Sequence, residues 1–458
     1  MLDFIIKNGL VVNADKSEHV DVAVKDGTIA ALGKAEQFAE AKEVIDADGM
    51  YVVPGMIDSH AHIASTGKEF NSLDNYYSGT IAAAYGGTTS VVDFSFLKEG
   101  ETPAAAFERK LNEAKGNCVV DYSFHPCINK ASSQFYGEVR EIIQSGFPSV
   151  KMFTVYRDSL MLEKSGIYEM LKIAAEENAM ALIHAESADM VERNIADAVS
   201  SGRTTPWDHA KSRPPITELE AMYGITAMVR ETGTPVIFAH MTTGRAGKLL
   251  EKARRDLPVF AEVCPHYLTL TEEKYKGEDG CNYVCSPPLR SEEEREGLWK
   301  LVENGLVDII NSDHTDYSSK QKRVHAGYFP DIPNGLPTIE NRGIVLFSEG
   351  VMKNRITVNR FVELTSANTA RLMGLYPRKG IIAVGSDADL AVIDPKCRYT
   401  HTAANHHMVT DFSPFEGMEI TGKVIHTIVR GNFVIFNGKY VDSGFRGELM
   451  KRFAPIIR

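Results

Sequence analysis

The chain has 458 residues, 43% hydrophobic and 24% charged, with a formal net charge of −11 and a pI near 5.7. That length exceeds one ordinary core, so one large barrel with an accessory domain, or two to three domains, is expected. The acidic balance argues against nucleic acid or an anionic membrane as partner, and no apolar run approaches the length of a membrane span.

Met1-Leu-Asp-Phe-Ile-Ile-Lys7 has no basic stretch followed by a long apolar one, so no secretory leader is read. The six cysteines (118, 127, 264, 281, 285 and 397) are scattered; Cys281 and Cys285 are four apart, with no second pair to complete a zinc site. Reduced thiols and a cytoplasmic location are the expectation. The first fifty residues read as short strands. Phe4-Ile-Ile-Lys-Asn-Gly9 and Leu10-Val-Val-Asn13 come first, then the alternating Val20–Gly27, whose Asp26-Gly27 is a tight hairpin signal before Thr28. Ala388–Ile393, Lys423–Val429 and Phe433–Lys439 repeat that character between glycine turns. We expect one small β-sandwich built from both termini, residues 1–53 plus 376–445, with 446–458 as a C-terminal tail.

Between 54 and 375 the period changes. Helical stretches at Ala104–Ala114, Ile167–Glu177, Glu218–Glu231 and Glu292–Asn304 alternate with short apolar runs. The runs are Gly55–Asp58, Ser90–Phe94, Val119–Phe124, Ser149–Phe153, Ala179–His184, Pro235–His240, Val259–Val263 and Val307–Asp313. Eight such runs match an α/β fold of the (β/α)8 TIM-barrel type. A doubly wound open sheet is the alternative, against which no G-x-G-x-x-G follows an early strand.

Barrel chemistry sits at the C-terminal ends of the strands. Run one leads into His60 and His62, two residues apart and therefore on one face of a strand. Run four carries Lys151, run five ends at His184, run six at His240 and run eight at Asp313. These are metal-ligand types at convergent positions. Each has a blander reading: His184 or His240 as a hydrogen-bonded core histidine, Asp313 as a helix cap, His60 and His62 as a loop pair. His314 is read as structural, and His406 and His407 as exposed. Lys151 lies in a run expected to be buried on both faces, where an ammonium is unfavourable. Its amine is read either as salt-bridged or as a carbamate, formed with CO₂, that bridges two metals.

The motifs Asp58-Ser-His-Ala-His62, Lys151-Met-Phe-Thr-Val-Tyr156, His184-Ala-Glu186, His240, Cys264-Pro-His-Tyr-Leu268, Ser286-Pro-Pro-Leu-Arg290 and Ser312-Asp-His314 resemble the amidohydrolase superfamily. The resemblance is closest to the cyclic amidases of its hydantoinase/dihydropyrimidinase branch, of the phenylhydantoinase type. It covers nearly the whole chain. Ala61 departs from the threonine that many relatives carry between these histidines.

The resemblance implies two divalent metals per subunit, of which Zn²⁺ suits the donor set. His60, His62 and Asp313 would hold one, His184 and His240 the other, with N6-carboxylated Lys151 between them. Tyr156 would stabilise the oxyanion, and Ser286 and Asn334 would contact the ring amide mainly through backbone groups. A metal-bridging hydroxide would attack, with Asp313 taking and returning the proton. The implied reaction is reversible opening of a 5-substituted hydantoin to an N-carbamoyl amino acid, or, as the alternative, of a dihydropyrimidine such as dihydrouracil or dihydrothymine. A homotetramer is implied as well.

Allantoinase or dihydroorotase would usually carry an arginine soon after the histidine pair, where Ile63-Ala-Ser-Thr-Gly-Lys-Glu69 has none. A mononuclear base deaminase would want a glutamate after His240, where Met241-Thr-Thr-Gly-Arg245 follows. A non-catalytic scaffold relative would have lost ligands. The loops Ile63–Leu73 and Arg157–Ser165 are expected to shape the substrate side-chain pocket.

Overall fold

The computed structural model describes residues 1–67 and 69–457. Lys68, in the first of those loops, and Arg458, at the end of the tail, lie outside the described residues.

The middle of the chain is an α/β fold. Met56–Ala61, Thr88–Ser95 and Asp121–Pro126 form one parallel sheet, with Thr88–Ser95 central. Ser149–Phe153, Met180–His184, Val236–Phe238, Val259–Val263 and Ile309–Ile310 form a second, in chain order. Isolated parallel bridges join the two sheets at both edges, Cys127 to Lys151 and Ala61 to His314. At the second seam the His62 N–H donates to His314 O and the Asp313 N–H to His60 O, each at 2.8 Å. Parallel strands covered by helices are buried on both faces, which is why these runs are nearly all apolar.

Helices begin where the sequence offers caps. Thr102 caps Pro103–Ala114, Ser132 caps Ser133–Gln144, and Ser291 caps Glu292–Glu303, whose first turn carries three glutamates. Pro215–Thr232 stops at Gly233, which takes φ 70°.

Two runs are shorter than their apolar patterns suggest. The eighth is a strand only over Ile309–Ile310, because the chain then turns inward: the Asn311 side chain accepts the Ser59 N–H at 3.0 Å, and Asp313 takes φ 49°. The sixth ends at Phe238, and His240 takes φ 36° beyond it. At both places the backbone leaves the extended region, so strand pairing stops there.

The two ends of the chain meet. A four-stranded sheet has the order Thr28–Gly33, Asp21–Lys25, Leu2–Lys7, Ala41–Asp46. In a seven-stranded sheet, Leu390–Thr400 pairs on one side with Glu419–Val429 and on the other with Tyr51–Pro54. Phe4, Val24, Val52, Leu390, Val392 and Ile428 pack into one buried cluster from both ends of the chain. The final segment runs along the parallel strands, with Met450 N–H donating to Tyr122 O at 2.7 Å.

His407 is exposed, stacked on Tyr85, whereas His406 is partly buried, which corrects its reading as a surface residue. Among the described residues no helix is long and apolar enough to cross a membrane.

Candidate metal centre

His60 and His62 project from the end of the first parallel strand, and Asp313 comes from the turn after the last. The ligand atoms of these three residues all lie within 4.8 Å of one another. Asp313 Oδ1 is 3.2 Å from His60 Nε2 and 3.0 Å from His62 Nε2. His60 Nδ1 lies 2.6 Å from Glu262 Oε1, so that nitrogen carries the proton. In neutral His60 this leaves the Nε2 lone pair facing a carboxylate oxygen. Two acceptors at that distance require a cation or a proton between them.

His184 and His240 stand across from this group. Their ring centres are 4.5 Å apart, and His240 is 5.2 Å from His60. His184 Nε2 lies 2.7 Å from Glu186 Oε2, which leaves Nδ1 as the nitrogen not engaged by that carboxylate. Burial holds the pKa of both imidazoles well below the ordinary value, with Lys151 pushing in the same direction. They are therefore neutral, the form that ligates.

Lys151 is wholly buried, and among the described residues its Nζ has no hydrogen-bond partner. It lies 5.0 Å and 4.9 Å from the ring centres of Phe94 and Phe153. Burial lowers its pKa, opposed by the charges of Glu262 and Asp313. An unpaired amine in such a place costs free energy unless it is neutral, modified or paired. The donor set and the buried amine fit a binuclear metal centre.

Tyr156 follows the fourth strand at φ 70°. Its ring lies 5.5 Å from His184 and carries the Arg213 guanidinium at 5.4 Å. Arg213 also donates to Glu186 Oε2 at 2.7 Å, so one arginine links Tyr156 to the carboxylate that orients His184. Ser286 Oγ donates to Asn334 Oδ1 at 2.8 Å, which brings together two loops far apart in the chain.

His314 is fully buried, and its Nε2 faces Asp74 and Asp316 at 3.5 Å and 3.6 Å. Glu262 was not singled out from sequence. Its signal was a lone carboxylate in the apolar run Val259-Phe-Ala-Glu-Val263, the same anomaly that marks Lys151.

The chain belongs to the amidohydrolase family, whose sequence profile matches residues 51–434. It is 39% identical over 453 residues to a D-hydantoinase of Geobacillus stearothermophilus, covering 98% of this chain and 96% of that protein. To the D-phenylhydantoinase of Escherichia coli it is 36% identical over 459 residues, with 99% of each covered. The crystal structure of a dihydropyrimidinase from Brevibacillus agri superposes with a TM-score of 0.96 at 37% identity, over 99% of both chains.

Proposed function

We propose that this chain hydrolyses cyclic amides, opening 5-substituted hydantoins to N-carbamoyl amino acids. The observation that carries the proposal is Lys151: a buried amine, without a hydrogen-bond partner among the described residues, placed among four histidines and an aspartate of metal-ligand type. Full-length similarity to proteins named D-hydantoinase and D-phenylhydantoinase supports the substrate class. Dihydropyrimidine opening is the second reading, favoured by the likeness to a solved dihydropyrimidinase. The bridges at both sheet edges support a closed (β/α)8 barrel over residues 54–375, with a terminal β-sandwich from 1–53 plus 376–445 and a tail beyond.

His60, His62 and Asp313 would hold one divalent cation and His184 and His240 the other, with carboxylated Lys151 common to both. Zn²⁺ suits these donors. When bound, such cations supply a nucleophilic water at neutral pH and positive charge beside the scissile carbonyl. The protein does the rest. Ser286 and Asn334 hold the ring amide through their backbone groups. The Tyr156 phenol, kept protonated by burial, donates to the carbonyl oxygen as it gains charge. Asp313 takes the proton from the attacking water and delivers it to the ring nitrogen as the C–N bond breaks. Free thiols at all six cysteines support a cytoplasmic location, and a homotetramer follows by resemblance.

The test is turnover of phenylhydantoin, dihydrouracil and allantoin by protein purified with Zn²⁺ and bicarbonate, alongside its metal content. Phenylhydantoin should open fastest, with two metals per chain. A two-metal protein that opens none of the three, or allantoin alone, overturns the proposal.

A further inference from the structure

The loop that carries Ser286 is held from beneath by buried side chains. Lys322, in the short helix Ser319–Arg323, is fully buried and donates to Val284 O at 2.7 Å. His209 Nε2 donates to Cys285 O at 2.8 Å, and the Tyr267 hydroxyl to Pro287 O at 2.7 Å. Among the described residues, Ser286 is the member of this run whose carbonyl receives no such donor.

Lys322 does more than its two companions. The same Nζ donates to Pro333 O at 2.6 Å, the residue before Asn334. Gly335 N–H reinforces the tie by donating to Val284 O at 3.1 Å. Above it, Ser286 Oγ meets Asn334 Oδ1. One buried amine therefore spans the two chain segments that the proposed function assigns to the ring amide. Lys322 has no carboxylate partner among the described residues; burial lowers its pKa to about 7. A neutral amine keeps two N–H donors, which matches the two carbonyls it meets.

We propose that Lys322 is a positioning residue for the substrate, setting the spacing of the Ser286 and Asn334 backbones that grip the ring amide. This rests on the cyclic-amidase reading. Removing the donors leaves a buried carbonyl at Val284 and a part-buried one at Pro333 without a side-chain partner and lets the loops separate. The metal ligands and Tyr156 lie on other segments, so binding should suffer more than chemistry.

The experiment compares steady-state kinetics and metal content of wild type, Lys322→Met, Lys322→Gln and Val139→Ala. Val139→Ala, a core truncation in the Ser133–Gln144 helix, controls for lost stability. In Lys322→Met we expect KM to rise roughly tenfold or more while kcat stays within about twofold and both metals are retained. Lys322→Gln, whose amide keeps two N–H donors at shorter reach, should fall between it and wild type, and carries the test if the methionine variant does not fold. An unchanged KM in a folded variant overturns the proposal, as does an equal rise in Val139→Ala. If wild type opens none of the three rings, the cyclic-amidase reading fails and this assignment falls with it. An active wild type with an unmoved KM in the variants removes the Lys322 assignment alone.

Discussion

Glu262 Oε1 lies 2.6 Å from His60 Nδ1, in a place with no solvent exposure on either side. The same oxygen accepts the His240 backbone N–H at 2.9 Å, and Oε2 accepts from Asn311 Nδ2 at 2.7 Å. One carboxylate thus orients one proposed ligand and anchors the backbone of another. Losing such a partner typically weakens metal binding about 10–100-fold. Glu262→Ala should show that loss in a metal-buffer titration. Wild-type affinity in the variant would mean that Glu262 does not orient the ligands.

Tyr156 is held at positive φ with Arg213 over its ring, a pose that loop flexibility alone would not maintain. Removal of one oxyanion donor costs about 10²–10³ in kcat. Tyr156→Phe should fall by that order on phenylhydantoin while metal content and thermal midpoint remain near wild type. Undiminished turnover would take the phenol out of the reaction.

Acid should destabilise the protein before its carboxylates titrate. Burial depresses the His209 pKa to about 3, and those of His266, His401 and His426 to about 4. A histidine with a depressed folded pKa contributes stability that is complete above its unfolded pKa near 6.5 and is lost as pH falls towards the folded value. The fully buried His209 and His266 can each steepen the decline by up to about 1.4 kcal/mol per pH unit, and the more solvated His401 and His426 by less. Urea midpoints between roughly pH 7.5 and 5 should therefore fall, and His209→Gln should decline less steeply than wild type. Identical slopes would show that His209 is not buried in its neutral form.

Lys379 is buried against Asp121, Asp387 and Asp389, and Arg430 adds a second cation on Asp121 at 3.1 Å. The network ties the C-terminal strands to the parallel strand Asp121–Pro126. Removing one partner of a buried ion pair leaves uncompensated charge and costs about 3–5 kcal/mol. Lys379→Met should lower the urea midpoint accordingly or abolish soluble expression. A loss below about 1 kcal/mol would mean that water reaches these carboxylates.

Much of this architecture was legible in the chain. Asp26-Gly27 marks a hairpin, and the pairing of Lys25 with Thr28 closes it. The helix over Glu292–Glu303 starts one residue after its serine cap. Strand ends carrying His60, His62, Lys151, His184, His240 and Asp313 could be picked out because a short apolar run followed by a ligand type is a local pattern. The last run extends further in the sequence than in the structure because apolarity continues past the point where the strand stops; Asn311 turns its side chain to the Ser59 N–H, and Asp313 takes a positive φ.

What residue order determined without help was an inventory: alternating strands at both ends, βα units between them, and donor-bearing side chains at the strand termini. Such features depend on neighbours a few positions apart, where period and capping chemistry act. Only the tertiary structure decided the pairings: Glu262 with His60, Arg213 with both Glu186 and Tyr156, and Lys322 with two separate loops. These meetings join segments tens to hundreds of residues apart. They follow from sheet register, twist and packing around a buried centre, which no local period encodes.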